Sequence, residues 1–148
     1  MLLKSPNFEN RGKIPRKYTA EGNNINPCLT IEEIPGQTQS LCISMEEPEK
    51  NLTHWLIFNV PVLDFIEENA HIGIEAINDF LTYEYIGPGP QQKEQHLVFY
   101  VFALDSVLTI GYGKSIIEVK IAMRNHIIAT AALEGIYTGS RSTIRQCE

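Results

Sequence analysis

The sequence has 148 residues, of which 43% are hydrophobic and 20% charged, with 12 basic and 18 acidic side chains. This length predicts a single domain spanning residues 1–148. A net charge of −6 argues against nucleic-acid binding, because neutralising phosphates needs clustered Lys and Arg. No apolar run approaches the roughly 18 residues of a membrane span, and the N-terminus lacks the apolar core of a secretory signal. We therefore expect a cytoplasmic protein without a transmembrane segment.

The cysteine and histidine spacing argues against a metal site. The three cysteines, Cys28, Cys42 and Cys147, are odd in number and share no C-x-x-C spacing. They are typical of a protein from a reducing compartment and suggest neither a disulfide framework nor a zinc site. No H-E-x-x-H or comparable ligand spacing occurs, so the sequence predicts no metal and no cofactor.

Three apolar runs predict buried strands. Proline and glycine recur too often in the first sixty residues for a helix of ordinary length. Ser40–Met45 and Trp55–Val60 are short, rich in branched or aromatic residues and bounded by turn formers. His96–Leu104 is apolar on both faces, which favours the centre of a sheet covered on both sides. Residues 66–77 are apolar but irregular, and we expect a loop there.

One helix is predicted near the C-terminus. Ser115 and Glu118 have the spacing of a capping box, and Gly135 can end the helix. Between them runs an apolar stripe at helical spacing, formed by Ile117, Ile121, Ile128 and Leu133. Ile136 and Tyr137 can begin a last short strand. The expected architecture is mainly β, with one helix packed on a sheet.

The residues with chemical potential lie at turns. Three acids in the segment 46–49 follow the first strand, His54 and Trp55 open the second, and the turn 87–90 (Gly-Pro-Gly-Pro) precedes the third. If these strands are neighbours, the turns gather at one end of the sheet. A carboxylate beside His54 favours the protonated ring. An imidazolium near backbone N–H groups is a plausible anion site.

A purely structural interpretation of the same residues stays open. The acids can form a solvated turn, and His54 can be a strand-end residue with satisfied hydrogen bonds. Trp55 can be a core residue or a pocket wall, and His126, expected inside the helix, can be structural. Composition and spacing alone do not decide between the two interpretations.

Several motifs occur together in the order and spacing of one protein family. They are Phe8-Glu9-Asn10-x-Gly12-x-Ile14-Pro15-x-x-Tyr18-Thr19, the segment from Glu21 to Leu29, Glu47-Pro48-Glu49, His54-Trp55-x-x-x-Asn59-Val60-Pro61, Asn78-Asp79-Phe80, Gly87-Pro88-Gly89-Pro90 and Phe102-Ala103-Leu104-Asp105. With them the chain resembles the phosphatidylethanolamine-binding proteins, also called Raf kinase inhibitor-like proteins, in their short bacterial form. The resemblance covers Phe8 to Tyr137 almost without gaps.

The resemblance implies a phosphatidylethanolamine-binding-protein-like fold, with two packed antiparallel sheets and one helix near the C-terminus. It also implies a small pocket at one end that holds phosphate, acetate or a phospholipid head group, without catalysis. Regulation of a kinase or another protein partner, and a homodimer, are further implications. The ligand-binding residues that it suggests are Glu47, Glu49, His54, Trp55, Pro88, Pro90 and Gln95.

Gln95 departs from the family pattern. An ungapped count from Gly87 to Asp105 puts the family's H-R-Y triplet on Gln95, His96 and Leu97. Sliding by one residue would bring His96 into the pocket, but it would turn every side chain of a buried strand to the opposite face. A glutamine donates a hydrogen bond without a charge, so anion affinity should fall by about 1 kcal/mol or more. A partly degenerate pocket is the expectation.

These residues suggest three candidate functions. The first is a non-enzymatic protein that binds a small anion or phospholipid head group. The second is a surface protein-interaction module whose pocket is vestigial. The third, a hydrolase-like enzyme, is disfavoured because no nucleophile and base pair can be named and G-x-S-x-G is absent. Ligand bound beside His54 and the turn 87–90 would separate the first function from the second.

Overall fold

Two β-sheets account for most of the regular structure in residues 1–139, the part of the chain that the computed structural model describes. The elements in chain order are β1 (Leu2–Lys4), β2 (Gly12–Lys13), β3 (Leu29–Glu32), β4 (Ser40–Glu47), β5 (Leu52–Val60), β6 (Phe65–Ile66), β7 (Ile74–Glu75), β8 (Gln95–Leu104), α1 (Ile116–Met123) and β9 (Ile127–Tyr137). Two single-turn 3-10 helices, Arg16–Tyr18 and Pro48–Lys50, complete the set within the described range.

The two sheets pack face to face around one apolar core. The larger sheet has the strand order β2-β9-β8-β4-β5-β7, and the smaller has the order β1-β3-β6. All pairs are antiparallel except β2 with β9. The core between the sheets includes Leu3, Leu29, Ile31, Met45, Trp55, Ile57, Ile66, Leu97 and Phe99. The prediction of two packed sheets with one helix is confirmed.

The three predicted strands form the middle of the larger sheet. They correspond to β4, β5 and β8, and β8 lies between β4 and β9. Along β8, Leu97 and Phe99 are buried in the core, whereas Val98 and Tyr100 are only half-buried on the other face. The sequence predicts that the sheet is covered on both sides at this strand. The other face is covered only in part, because α1 packs over Leu56 and Phe58 instead.

The predicted long helix is wrong beyond its first two turns. The capping box exists, since Ser115 Oγ accepts from the Glu118 N–H and the Glu118 carboxylate accepts from the Ser115 N–H. The helix ends at Met123, and Asn125 takes a left-handed φ of 71° before β9 begins. The segment 127–137 instead pairs with β8 along its length, because tertiary pairing overrides local helical preference.

The stripe that predicted the long helix has a different role in the fold. Ile117, Ile121 and Ile128 are exposed, and Leu133 is buried as part of β9 rather than of a helix. His126 lies between α1 and β9, where its Nδ1 is 2.8 Å from Asp105 Oδ1. Ile136 and Tyr137 end β9 rather than begin a separate strand.

The segment expected to be a loop is mostly irregular. Within residues 66–77 only its first residue, in β6, and the short β7 are strand residues. Across the described residues, no helix has the length and hydropathy needed to cross a bilayer.

Candidate functional site

Polar side chains collect at one end of the core between the sheets. Glu47 ends β4, His54 lies in β5, Gln95 begins β8, and the turn 87–90 precedes that strand. Glu47 is 4% exposed, and His54 and Gln95 are each 3% exposed. Buried polar groups need hydrogen-bond partners, so the partners of these three side chains define what the site can do.

A β-bulge at His54 shapes the site. Met45 of β4 lies opposite Trp55 of β5, yet the next residue, Glu46, lies opposite Thr53. His54 is therefore the extra residue of β5, with no opposite partner on β4. Because bulges bend a strand and re-aim a side chain, this one releases His54 from the strict alternation of β5 and lets it meet Glu47.

Both ring nitrogens of His54 face hydrogen-bond acceptors. Nε2 is 3.0 Å from Glu47 Oε1, and Nδ1 is 2.7 Å from the backbone oxygen of Ile86. The ring therefore bridges the end of β4 and the segment before the turn 87–90. The ring of Phe80 lies 4.8 Å from the imidazole, centroid to centroid. His54 is thus fixed on all three sides.

Lys50 joins this pair from the rim of the site. Its Nζ is 3.3 Å from Glu47 Oε2 and 2.9 Å from Gln91 Oε1. Sequence reasoning did not include Lys50 or Gln91 among the site residues. The signal that could have found Lys50 is its spacing, because a lysine three residues after Glu47 is within reach of that carboxylate in any single helical turn.

The turn 87–90 is held by the N-terminal part of the chain. The Gly87 N–H donates to Asn24 Oδ1 over 2.7 Å, and the Ala20 N–H donates to the backbone oxygen of Pro88 over 3.0 Å. A Cβ at residue 87 would lie 2.5 Å from the backbone oxygen of Tyr18, so this close approach requires glycine. The turn is a fixed wall of the site.

Gln95 faces the turn, and His96 faces away from it. Gln95 Nε2 donates to the backbone oxygen of Gly89 over 3.1 Å. His96 lies on the opposite face of β8, with its ring nitrogens 2.8 Å from Glu134 Oε2 and 3.1 Å from Glu94 Oε2. The hydrogen bond to Glu134 raises the pKa of His96 above its usual value, and nearby acids add to the effect. This register is the one that the ungapped count describes.

The other expected site residues are divided between core and surface. Trp55 packs in the core and contacts Tyr85 edge-on, with 5.6 Å between ring centroids. Pro88 is buried, whereas Glu49 and Pro90 are exposed. Glu47 and His54 thus contact one another, Gln95 bonds to the turn that contains Pro88, and Lys50 and Gln91 meet at the rim.

The two cysteines within residues 1–139 are not among the side chains that form the site. Cys28 and Cys42 are free thiols, and burial raises the pKa of the Cys42 thiol well above its usual value. Cys147 lies outside the described residues. Within residues 1–139, no three His, Cys, Asp or Glu side chains are grouped so that they could hold a metal ion.

Two packed sheets with buried polar side chains and a fixed turn at one end define a β-sandwich domain with a polar end. The family is given by the sequence. Residues 4–138 match the model of the phosphatidylethanolamine-binding protein family. The chain belongs to this family.

Curated relatives and solved structures agree with this membership. A UPF0098 protein of Methanothermobacter thermautotrophicus is 36% identical, with 93% of this chain and 98% of the relative covered. A UPF0098 protein of Pyrococcus horikoshii is 37% identical, with 88% and 73% covered.

Two crystal structures have the same fold. A phosphatidylethanolamine-binding protein homologue from Chlamydia trachomatis superposes with a TM-score of 0.89 at 31% identity, covering 94% of this chain and 97% of that one. An Escherichia coli structure described as a new member of the mammalian family has a TM-score of 0.84 at 21% identity, covering 94% and 98%. At that identity the second likeness concerns the fold alone.

Proposed function

We propose that this chain binds a small phosphate-containing anion, free or as a phospholipid head group, at the end of the core, and does not convert it chemically. Regulation of a kinase or another protein partner by the bound ligand belongs to the same proposal, as do a cytoplasmic location and a homodimer. The observation that carries it is the buried Glu47–His54 pair beside the fixed turn 87–90.

The arrangement supports binding because it is pre-organised. Glu47 and His54 hold one another, and the turn is anchored by Asn24 before any ligand arrives. A Cβ built on Gly89 would meet no atom within 4 Å, so open space lies beside the turn. Walls that are already fixed lose little conformational entropy when a ligand binds.

The contacts of His54 argue against a catalytic role. A general base must reach the proton that it removes, and a nucleophile needs such a base within hydrogen-bond distance. The two ring nitrogens of His54 contact Glu47 and the backbone oxygen of Ile86, neither of which is a nucleophile paired with a base. The ring can therefore hold the site together without activating a reacting group.

An NMR titration at pH 6 tests the proposal and separates the two sources of phosphate. Inorganic phosphate, O-phosphorylethanolamine and ethanolamine are added in turn, while the His54 ring and the amides of Glu47 and Gly89 are followed. Saturable shifts with both phosphate compounds and none with ethanolamine are expected. Tighter binding of O-phosphorylethanolamine than of phosphate would favour a head group. No shift at millimolar ligand would contradict the proposal.

A second candidate function is a surface protein-interaction module with a vestigial pocket. It is favoured by the outer surface of α1, where Ile117 and Ile121 lie one turn apart and are both exposed. In that case the double variant Ile117→Glu, Ile121→Glu should lose partner binding. Phosphate titrations of the wild-type chain should give no shift. Phosphate binding that is saturable and confined to the site would contradict this alternative.

A further inference from the structure

A lysine bridges the rim of the site. Lys50 Nζ lies 2.9 Å from Gln91 Oε1 and 3.3 Å from Glu47 Oε2, so it links the segment after β4 to the segment after the turn 87–90. The Lys50 side chain is 42% exposed, whereas those of Glu47 and His54 are 6% and 3% exposed. Of these three side chains, Lys50 is therefore the one that a ligand in solvent meets first.

The local backbone fixes where this lysine points. Pro48 begins a single 3-10 turn that runs to Lys50, and Asn51 ends it in the left-handed region with φ 52°. Glu47 is the residue before this turn and Lys50 is its last residue. Their side chains meet across the turn, with 3.3 Å between Lys50 Nζ and Glu47 Oε2.

Several other hydrogen-bond donors at the site already have partners. His54 has a partner on each ring nitrogen, and Gly87 donates its N–H to Asn24. Gln95 uses one amide N–H on Gly89 and carries no charge. An ammonium group has three donors, and Lys50 contacts two acceptors, so one donor can still turn to a ligand.

We propose that Lys50 is the cationic anchor of the anion, and that a ligand replaces Gln91 as its partner. This inference rests on the proposed anion-binding function and names the residue that supplies the positive charge for it. The exchange is favourable because a phosphate oxygen carries negative charge and so attracts the ammonium more strongly than the neutral amide oxygen of Gln91 does. Lys50 keeps Glu47 as a partner throughout, so no buried carboxylate loses its cations.

Two substitutions separate an anchor from a mere structural tie. Lys50→Gln removes the charge and should weaken phosphate binding about ten-fold. Gln91→Ala removes the amide oxygen that competes with the ligand for Lys50. Phosphate affinity should stay unchanged or rise by roughly two-fold, because the ligand no longer has to displace that hydrogen bond. If Lys50 only tied the rim together, both substitutions would break the same tie and would weaken binding alike.

Calorimetric titration of the full chain with inorganic phosphate measures these affinities. Lys50→Arg should restore binding to within a few-fold of wild type, because it keeps the charge. Lys114→Gln is the matched control: it removes one positive charge from a lysine that pairs with Glu118 beside α1, away from the site. It should bind phosphate as wild type does. Unfolding curves verify that each variant is folded.

The outcomes distinguish this inference from the proposed function. Wild-type chain that does not bind phosphate overturns both. Wild-type binding that survives in Lys50→Gln overturns the anchor role and leaves the proposed function standing. Equal weakening by Lys50→Gln and Gln91→Ala also overturns the anchor role. Weakening by Lys50→Gln alone, with rescue by Lys50→Arg, is the result expected.

Discussion

Two histidine–glutamate pairs in this fold have the same chemistry and opposite surroundings. His54 and Glu47 are 3.0 Å apart with side chains 3% and 6% exposed, and His96 and Glu134 are 2.8 Å apart with side chains 32% and 30% exposed. The first pair closes the end of the core, and the second lies on the outer face of the larger sheet. The face of the strand, rather than the residue type, therefore decides which histidine can belong to a site.

The difference has an energetic consequence. Removing one partner of a buried ion pair leaves an uncompensated charge in a poorly solvated place, which is strongly destabilising. An ion pair at the surface is screened by water and salt, and its loss matters little. The two pairs should therefore respond very differently to the same kind of substitution.

The largest expected effect is that of breaking the buried pair. Glu47→Ala should lower the free energy of unfolding by about 3–5 kcal/mol, because His54 and Lys50 lose their shared carboxylate and the His54 ring stays buried. Denaturant unfolding of the variant and the wild type measures this change. A loss below about 1 kcal/mol would place the pair in the same energetic class as a surface bridge.

A smaller effect is expected from adding a second histidine to the site. Gln95→His should raise phosphate affinity by about five-fold below pH 6.5, where an unperturbed imidazole is protonated, and should change it little at pH 8. Phosphate titrations of this variant at both pH values measure the effect. Equal affinities for variant and wild type at low pH would mean that residue 95 does not contact the anion.

The smallest effect is expected from the surface pair, and it depends on pH. Because the pKa of His96 is raised in the folded protein, the pair stabilises the fold fully below the unfolded pKa, and this stabilisation is lost as pH rises through the folded pKa. His96→Gln should therefore cost less than about 1 kcal/mol at pH 6 and nothing measurable at pH 9. A cost in stability that grows as the pH rises would contradict this prediction.

Much of the fold could be predicted from local sequence patterns. The strands β4, β5 and β8 are apolar runs between turn formers, and the cap of α1 is set by Ser115 and Glu118. The segment 127–137 could not be predicted, because its alanines and Leu133 suit a helix and pairing with β8 makes it a strand. An apolar pattern with a period of about 3.6 residues therefore predicts the wrong element when pairing with a distant strand determines the structure.

The site was predictable in part for a related reason. Motifs pointed to His54 and Glu47, and the hydrogen bond between them depends on a bulge that no pattern in the sequence signals. Trp55 follows His54 directly, yet it lies in the core with Met45. Lys50 was not among the predicted site residues, because its contact with Gln91 joins residues far apart in the chain.

The most direct test of the account is a crystal structure of the wild-type chain grown with inorganic phosphate. The account predicts tetrahedral density between Lys50 Nζ and the turn at Gly89, with the Gln91 side chain moved away from Lys50. The Glu47–His54 pair should be unchanged. A site without this density, in crystals where phosphate exceeds the concentration that saturates binding in solution, would contradict the claim that this end of the sandwich holds an anion.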